Sequence, residues 1–293
     1  MKKKWISALL TLAMVFTFVP TIVHADAVVG ETVVTLGQNL TQEQRSAMLQ
    51  EMGVNEKDVQ VIEVTNAEEH QYLGDYMSKA TIGTRALSSA KITLAETGTG
   101  ITVETKNIST ITEMMYSNAL ITAGVKDADV YVTAPFPVSG TAGLTGVIKA
   151  FESATDKKIS EEQKQVANEE MVRTSEIGEQ IGDTEKAAEL IMRVKEEIAE
   201  QQPQSPEEIK QIIINVAGDL NINLTEQNIN DLTNLMDKFS QLDIDWDQLS
   251  SQLDQFKEKW GDALQSAEEA KGFFDKLINW LSNLLDSLTS IFS

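Results

Sequence analysis

The hydrophobic periodicity of this chain changes near residue 160. Before that point, short runs rich in β-branched residues alternate with helical segments, whereas every later segment has helical spacing. Strands followed by helices in one half and helices alone in the other indicate two differently built regions. The pattern predicts an α+β fold, with an N-terminal mixed sheet of about five strands and packed helices, followed by an all-helical C-terminal region.

The first strand-helix-strand unit is marked by a helix start. The β-branched run "TVVTL" (32–36) predicts a strand, and Thr41 with Gln44 three residues later has capping-box spacing at the start of a helix. The run "VQVIEV" (59–64) predicts the next strand.

A second unit follows after a turn. "KITLAE" and "ITVETK" flank Thr97-Gly98-Thr99-Gly100, whose glycines suit the positive φ angles of a tight hairpin. A helix across 110–122 and the strand "ADVYVTA" complete the unit. We therefore predict two strand-helix-strand units joined by a hairpin into one sheet.

The boundary of the helical region is set by composition. The segment "AEQQPQSPEE" (199–208) holds two of the five prolines and has Ala199 as its one apolar residue, which is typical of a linker. The predicted division is a signal peptide (1–25), an α/β domain (26–155), helices associated with it (156–198), the linker (199–208), a helical region (209–270) and a C-terminal helix (271–293).

The N-terminus predicts export. Lys2, Lys3 and Lys4 precede an apolar run, and Val23-His24-Ala25 offers small residues at the positions of a signal-peptidase site. A retained N-terminal anchor is the alternative. Cysteine is absent, so no disulfide framework, thiol nucleophile or lipid-modified cysteine is available. A formal net charge of −21 argues against a nucleic-acid partner.

The C-terminal helix is strongly amphipathic. At about 100° per residue, its large apolar side chains fall within an arc of roughly 160°. We expect this face to contact a membrane surface or an envelope protein, or else the protein's own helices. The predicted contact residues are Phe273, Phe274, Leu277, Ile278, Trp280, Leu281, Leu284, Leu285, Leu288, Ile291 and Phe292.

Four blocks carry a family resemblance. "VVTLGQNLTQEQR", "EEHQYLG", "IGTRALSSAKIT" and "AGVKDADVYVTAPFPVSGTAGLTGVIKAFE" resemble the hallmark segments of the family catalogued as domain of unknown function 1002, found in secreted proteins of spore-forming Gram-positive bacteria. The resemblance spans roughly residues 26–250. It implies a place outside the cytoplasm, at the cell wall or the outer face of the cytoplasmic membrane, and it supplies no activity and no catalytic residues.

Two kinds of residue have the chemistry for catalysis or anion binding. His70 is the one histidine that remains after signal cleavage, and with Ser88 or Ser89 it would make a small extracellular hydrolase. No nucleophile-elbow motif supports this alternative. Arg85 is suited to bind a carboxylate or phosphate, or to form a buried structural ion pair.

Two further motifs have both a structural and a ligand-binding interpretation. Glycines 140, 143 and 146 lie between a strand and a helix, where they permit close packing or, through backbone amides, anion binding. Asp243, Asp245 and Asp247 have the spacing of a calcium loop, but Gln248 replaces the required glycine, and Asp245 as an N-cap explains the same residues.

The sequence therefore predicts an exported, non-catalytic protein of the cell envelope, not an enzyme, with no cofactor and no metal. Its biochemical role does not follow from the residues, and the hydrolase using His70 is the alternative function.

Overall fold

The N-terminal half forms one five-stranded mixed sheet. The structure is a computed structural model and describes residues 28–261. The strands are β1 (Thr32–Gly37), β2 (Gln60–Val64), β3 (Ser89–Leu94), β4 (Ile101–Ile108) and β5 (Ala128–Val138), in the order β2-β1-β3-β5-β4. β1 pairs with β2, and β4 with β5, in parallel, as the two strand-helix-strand units predict, while β3 is antiparallel to both β1 and β5.

Helices connect the strands and fill the C-terminal half. They are α1 (Gln42–Glu51), α2 (Asn66–Leu73), α3 (Lys79–Ile82), α4 (Glu113–Thr122), α5 (Thr141–Thr155), α6 (Glu161–Ile181), α7 (Thr184–Gln201), α8 (Pro206–Asp219) and α9 (Glu226–Ser240). A further helix, α10, occupies residues 246–261, where the described part ends. The predicted α+β fold class is confirmed.

The predicted hairpin between β3 and β4 is wrong. Both strands pair with β5, which lies between them in the sheet. Gly98 and Gly100 do adopt positive φ angles of 89° and 73°, but their backbone N–H groups donate to the Asp127 side chain, each at 2.9 Å. The glycine turn therefore passes around the start of β5 instead of closing a two-stranded hairpin.

The sheet is covered unequally on its two faces. Helix α5 packs across β1, β2 and β3, and α4 packs on β4, so one face is fully covered. On the other face Met48 and Leu49 of α1, with its C-cap residue Met52, form a smaller core with Val34 and Leu36 of β1. Alternate residues of β3 and β5 also point to that face, and among them are Lys91, Asp129 and Thr133, so the rest of it is polar.

The C-terminal helices extend the main core. Helices α6 and α7 pack on α4, and α8 and α9 pack on α7 and α6. One continuous core runs from Val33 in β1 to Phe256 in α10 and includes Ile209 and Ile213 of α8. Within the predicted linker, α7 continues to Gln201 and α8 begins at Pro206. The division of the chain into separate segments stays a prediction.

The calcium alternative lies at the start of α10. The Asp245 side chain accepts a hydrogen bond from the Gln248 backbone N–H at 3.0 Å, so the N-cap interpretation of this segment is confirmed. Across residues 28–261, no three His, Asp or Glu side chains come together as a metal site would require.

Candidate functional site

A cleft opens where β5 ends and α5 begins. It has a volume of about 290 Å³ and lies between the start of α5 and the loop that leads from α3 to β3. We call it the α5 cleft. Its lining includes Glu69, Gly83, Arg85, Ser88, Phe136 and Thr141.

The start of α5 has no side-chain cap. Its N-cap residue is Gly140, at a φ of 99°, and no side chain accepts a hydrogen bond from the first turn. The first backbone N–H groups of a helix have no partner within the helix and carry its positive dipole end. Thr141 and Ala142, the first two residues of α5, both line the cleft, which therefore presents a partial positive charge.

Glycines hold this helix start close to the sheet. A Cβ atom on Gly146 would lie 2.6 Å from Thr35 Oγ1, and one on Gly143 would overlap Tyr116 and Val132. The buried Tyr116 hydroxyl donates to the Gly140 carbonyl oxygen. The close-packing interpretation of the three glycines is confirmed, and it fixes the position of the uncapped N-terminus.

Arg85 is the cation of the cleft. Each of the other three arginines forms an ion pair: Arg45 with Glu63, Arg173 with Glu176, and Arg193 with Glu189. Arg85 is exposed and has no ion pair with any residue that the structure describes. Of the two interpretations made from sequence, the buried structural pair is therefore wrong, and a guanidinium is left free at the cleft.

Glu69 supplies a buried carboxyl group to the same cleft. Glu69 is 2% exposed, and its Oε1 atom has no hydrogen-bond partner among the described residues. Burial raises the pKa of Glu69 to about 7, partly opposed by a hydrogen bond from the Asn66 side chain. Near neutral pH this carboxyl group is therefore present both in its ionised form, which only accepts hydrogen bonds, and in its protonated form, which also donates one.

His70 supports the loop that carries Arg85. Its Nε2 atom lies 3.0 Å from the Gly83 carbonyl oxygen, and because a carbonyl only accepts, this nitrogen carries the proton. Ser88 is buried and lines the cleft, whereas the Ser89 hydroxyl accepts from the Gly37 N–H. The described residues show no hydrogen bond between His70 and either serine, and the hydrolase alternative stays a prediction.

Sequence reasoning missed two residues of the cleft. Glu69 and Leu73 are the two buried residues of α2, so an acid shares the buried face of this helix with a leucine four residues later. That spacing is a readable signal. Phe136 is 41% exposed between two prolines at the cleft, and it has no comparable signal.

The predicted contact residues from Phe273 to Phe292, and the predicted signal peptide (1–25), lie outside the described residues. Within the described part of the chain, no helix combines the length and hydropathy that a membrane crossing needs.

Comparisons with known proteins give a family. The family described as "Protein of unknown function (DUF1002)" matches residues 36–256. The chain is 49% identical over 293 residues to "Uncharacterized protein YpuA" of Bacillus subtilis (strain 168), with both chains covered in full. No solved structure matches the chain. The match covers most of the sequence and includes every residue of the α5 cleft, and the chain belongs to the DUF1002 family of proteins of unknown function.

Proposed function

We propose that the protein is exported and acts at the cell envelope as a non-catalytic binding protein, whose α5 cleft captures a small molecule through a carboxylate or phosphate group. The lysines and apolar run at the N-terminus support export. The cleft supports binding. The role outside the cytoplasm is the one that the family resemblance also implies.

The free guanidinium of Arg85 carries this proposal. In a chain with 45 acidic and 24 basic residues, an arginine without an acidic partner is unexpected. Arg85 shares its cleft with the uncapped start of α5, so two positive groups converge on one space. A guanidinium binds carboxylate or phosphate through two parallel hydrogen bonds, and a helix N-terminus adds backbone donors.

The size and lining of the cleft limit the ligand. A volume of about 290 Å³ is at the lower end of the range for small-molecule sites. A ligand the size of one or two amino acids therefore fits, whereas only the end of a polymer chain would enter the cleft. Phe136 offers an exposed aromatic face at the same place. The ligand that fits best has an anionic group and a neighbouring apolar part.

The arrangement favours binding over catalysis. A serine nucleophile needs a base within hydrogen-bond reach. The His70 Nε2–H donates to the Gly83 carbonyl oxygen, so this ring nitrogen is committed to holding the loop. Replacing His70 with alanine separates the two functions, since a hydrolase would lose all turnover, whereas a binding protein would keep its ligand with lower affinity.

The C-terminal segment is proposed as the contact with the envelope. At about 100° per residue, its eleven large apolar side chains share one helical face. We expect deletion of residues 271–293 to release the protein into the medium while residues 28–261 stay folded. Loss of cooperative unfolding in the truncated protein would instead make the segment part of the core.

The binding proposal is tested by titrating the purified full chain with 3-phenylpropionate and with inorganic phosphate in a calorimeter. Arg85→Gln should weaken binding of the better probe at least tenfold, because the bidentate contact is lost. Arg193→Gln is the matched control, since this partly exposed arginine is paired with Glu189 and does not line the cleft. Equal affinity in the wild type and Arg85→Gln would show that the cleft is not the site.

A further inference from the structure

The buried carboxyl of Glu69 lacks a hydrogen-bond partner for one of its oxygens. In native structures almost every buried polar atom has a hydrogen-bond partner. A buried oxygen without one therefore indicates a donor that comes from outside the protein. Oε1 of Glu69 has none, although the residue is only 2% exposed. Since Glu69 lines the α5 cleft, a ligand in the cleft is placed to supply that donor.

The neighbours of Glu69 leave this position open. The Asn66 side chain hydrogen-bonds the carboxyl group, and Glu68, the preceding residue of α2, is paired with Lys149 of α5. The cleft thus has a free cation in Arg85, a partial positive charge at the start of α5, and an acid whose free oxygen no lysine or arginine meets within the described residues.

We propose that the ligand of the α5 cleft is zwitterionic, with its carboxylate on Arg85 and the start of α5, its ammonium group on Glu69, and its apolar side chain against Phe136. An α-amino acid, or the equivalent end of a short peptide, has this chemistry. This inference rests on the proposed function of the cleft and adds the second charged group of the ligand.

A zwitterion also fits the electrostatics of the whole chain. A net charge of −21 repels an anion from a distance, whereas a molecule with no net charge approaches without that penalty. Inside the cleft each charged group of the zwitterion then meets its opposite. A plain anion has no donor for the orphaned oxygen of Glu69. That oxygen would stay unsatisfied unless the Glu69 carboxyl group became protonated and donated a hydrogen bond to the anion.

Proton linkage distinguishes these two cases. Burial holds the pKa of Glu69 at about 7, so at pH 7 about half of the molecules carry the proton. An ammonium group beside Glu69 lowers this pKa and releases about half a proton on binding. A plain anion raises the pKa and takes up about half a proton.

The experiment compares three probes that share one phenyl ring: phenylalanine, 3-phenylpropionate and 2-phenylethylamine. Each is titrated calorimetrically into the full chain at pH 7, in buffers of different ionisation enthalpy. We expect phenylalanine to bind at least tenfold more tightly than either of the others and to release protons. In Glu69→Gln its affinity should fall at least tenfold, to the level of 3-phenylpropionate. Glu162→Gln removes an exposed acid of α6 and should change neither value.

The outcomes separate the two proposals. If 3-phenylpropionate binds as tightly as phenylalanine, with proton uptake and dependence on Arg85, the zwitterion inference is overturned and the proposed function stands. If neither these probes nor inorganic phosphate shows binding that depends on Arg85, both fail. The proton release is measured on the wild-type chain, so this test holds even where Glu69→Gln does not fold.

Discussion

Replacement of Lys195 by methionine removes the cation from the most deeply buried ion pair of the described core. The Lys195 side chain is 0% exposed and the Glu170 side chain is 2% exposed, and their Nζ and Oε1 atoms lie 3.0 Å apart. The ammonium group also donates to the Asn118 carbonyl oxygen at 2.9 Å and to Thr122 Oγ1 at 3.1 Å. All three of its donors are thus satisfied, and the pair joins α4, α6 and α7.

The loss of stability in Lys195→Met depends on the buried carboxyl group that remains. In Lys195→Met, Glu170 remains buried with only the Thr122 hydroxyl as a donor. Removal of one partner of a buried pair costs about 3–5 kcal/mol, which is a large part of the roughly 5–15 kcal/mol that stabilises a typical domain. In Lys195→Met/Glu170→Met both charges are gone, so we expect the double variant to recover at least about 2 kcal/mol relative to Lys195→Met.

The pH dependence gives a second readout. Burial raises the pKa of Glu170 above its ordinary value, and the loss of Lys195 raises it further. A group with a raised folded-state pKa contributes stability at low pH and loses it as the pH rises through that pKa. Lys195→Met should therefore be closest to the wild type in mildly acidic solution and furthest from it above neutral pH.

The assay is urea unfolding of the full chain followed by circular dichroism, at pH 5 and pH 8. A loss below about 1 kcal/mol at pH 8 in Lys195→Met would show that the buried Glu170 carboxylate does not depend on Lys195. So would a double variant that is no more stable than Lys195→Met, because the orphaned charge would then not be the cause of the loss.

Two other changes have predicted effects on stability. Gly146→Ala places a Cβ atom 2.6 Å from Thr35 Oγ1 and should lower the free energy of unfolding by about 1–3 kcal/mol in urea titrations. In Gly218→Ala of α8 the added Cβ meets nothing within 4 Å, so this control should raise the free energy of unfolding by up to about 1 kcal/mol. Equal effects at the two sites would contradict the packing of α5. The pKa of Glu69 moves from 4.5 to about 7 on folding, and each pH unit corresponds to about 1.4 kcal/mol. Its contribution to stability is therefore full below pH 4.5 and falls by about 3.5 kcal/mol as the pH rises from there to above 7. Glu69→Gln should therefore flatten the stability curve between pH 5 and pH 8, whereas Glu162→Gln should leave the wild-type slope, and a slope unchanged in Glu69→Gln would show that Glu69 titrates normally.

Local signals in the sequence predicted the local structure. The predicted capping box at Thr41 with Gln44 is present, because it depends only on residues within one helical turn. The close packing at the glycines near 143 was also predictable, since a helix without side chains on one face can approach a sheet closely.

Features that depend on distant residues were beyond those signals. The residues of the glycine turn at 97–100 fit a hairpin equally well. Their sequence does not show that β5 lies between β3 and β4, or that the Asp127 side chain accepts hydrogen bonds from the backbone amides of the turn. Arg85 was identified, but whether it forms an ion pair depends on where all the acids lie. Glu69 acquires its raised pKa from tertiary burial, and the sequence shows only its place on the buried face of α2.

Binding of an anionic group at the start of α5 can be followed at the backbone amides themselves, by an NMR titration. The full chain, labelled with ¹⁵N, is titrated with phenylalanine. We expect the largest shift changes on the amides of Thr141 and Ala142 and of the loop residues 83–85, and Arg85→Gln should abolish them. Shift changes confined to the polar sheet face, around Lys91 and Tyr131, or the same pattern in Arg85→Gln, would contradict it.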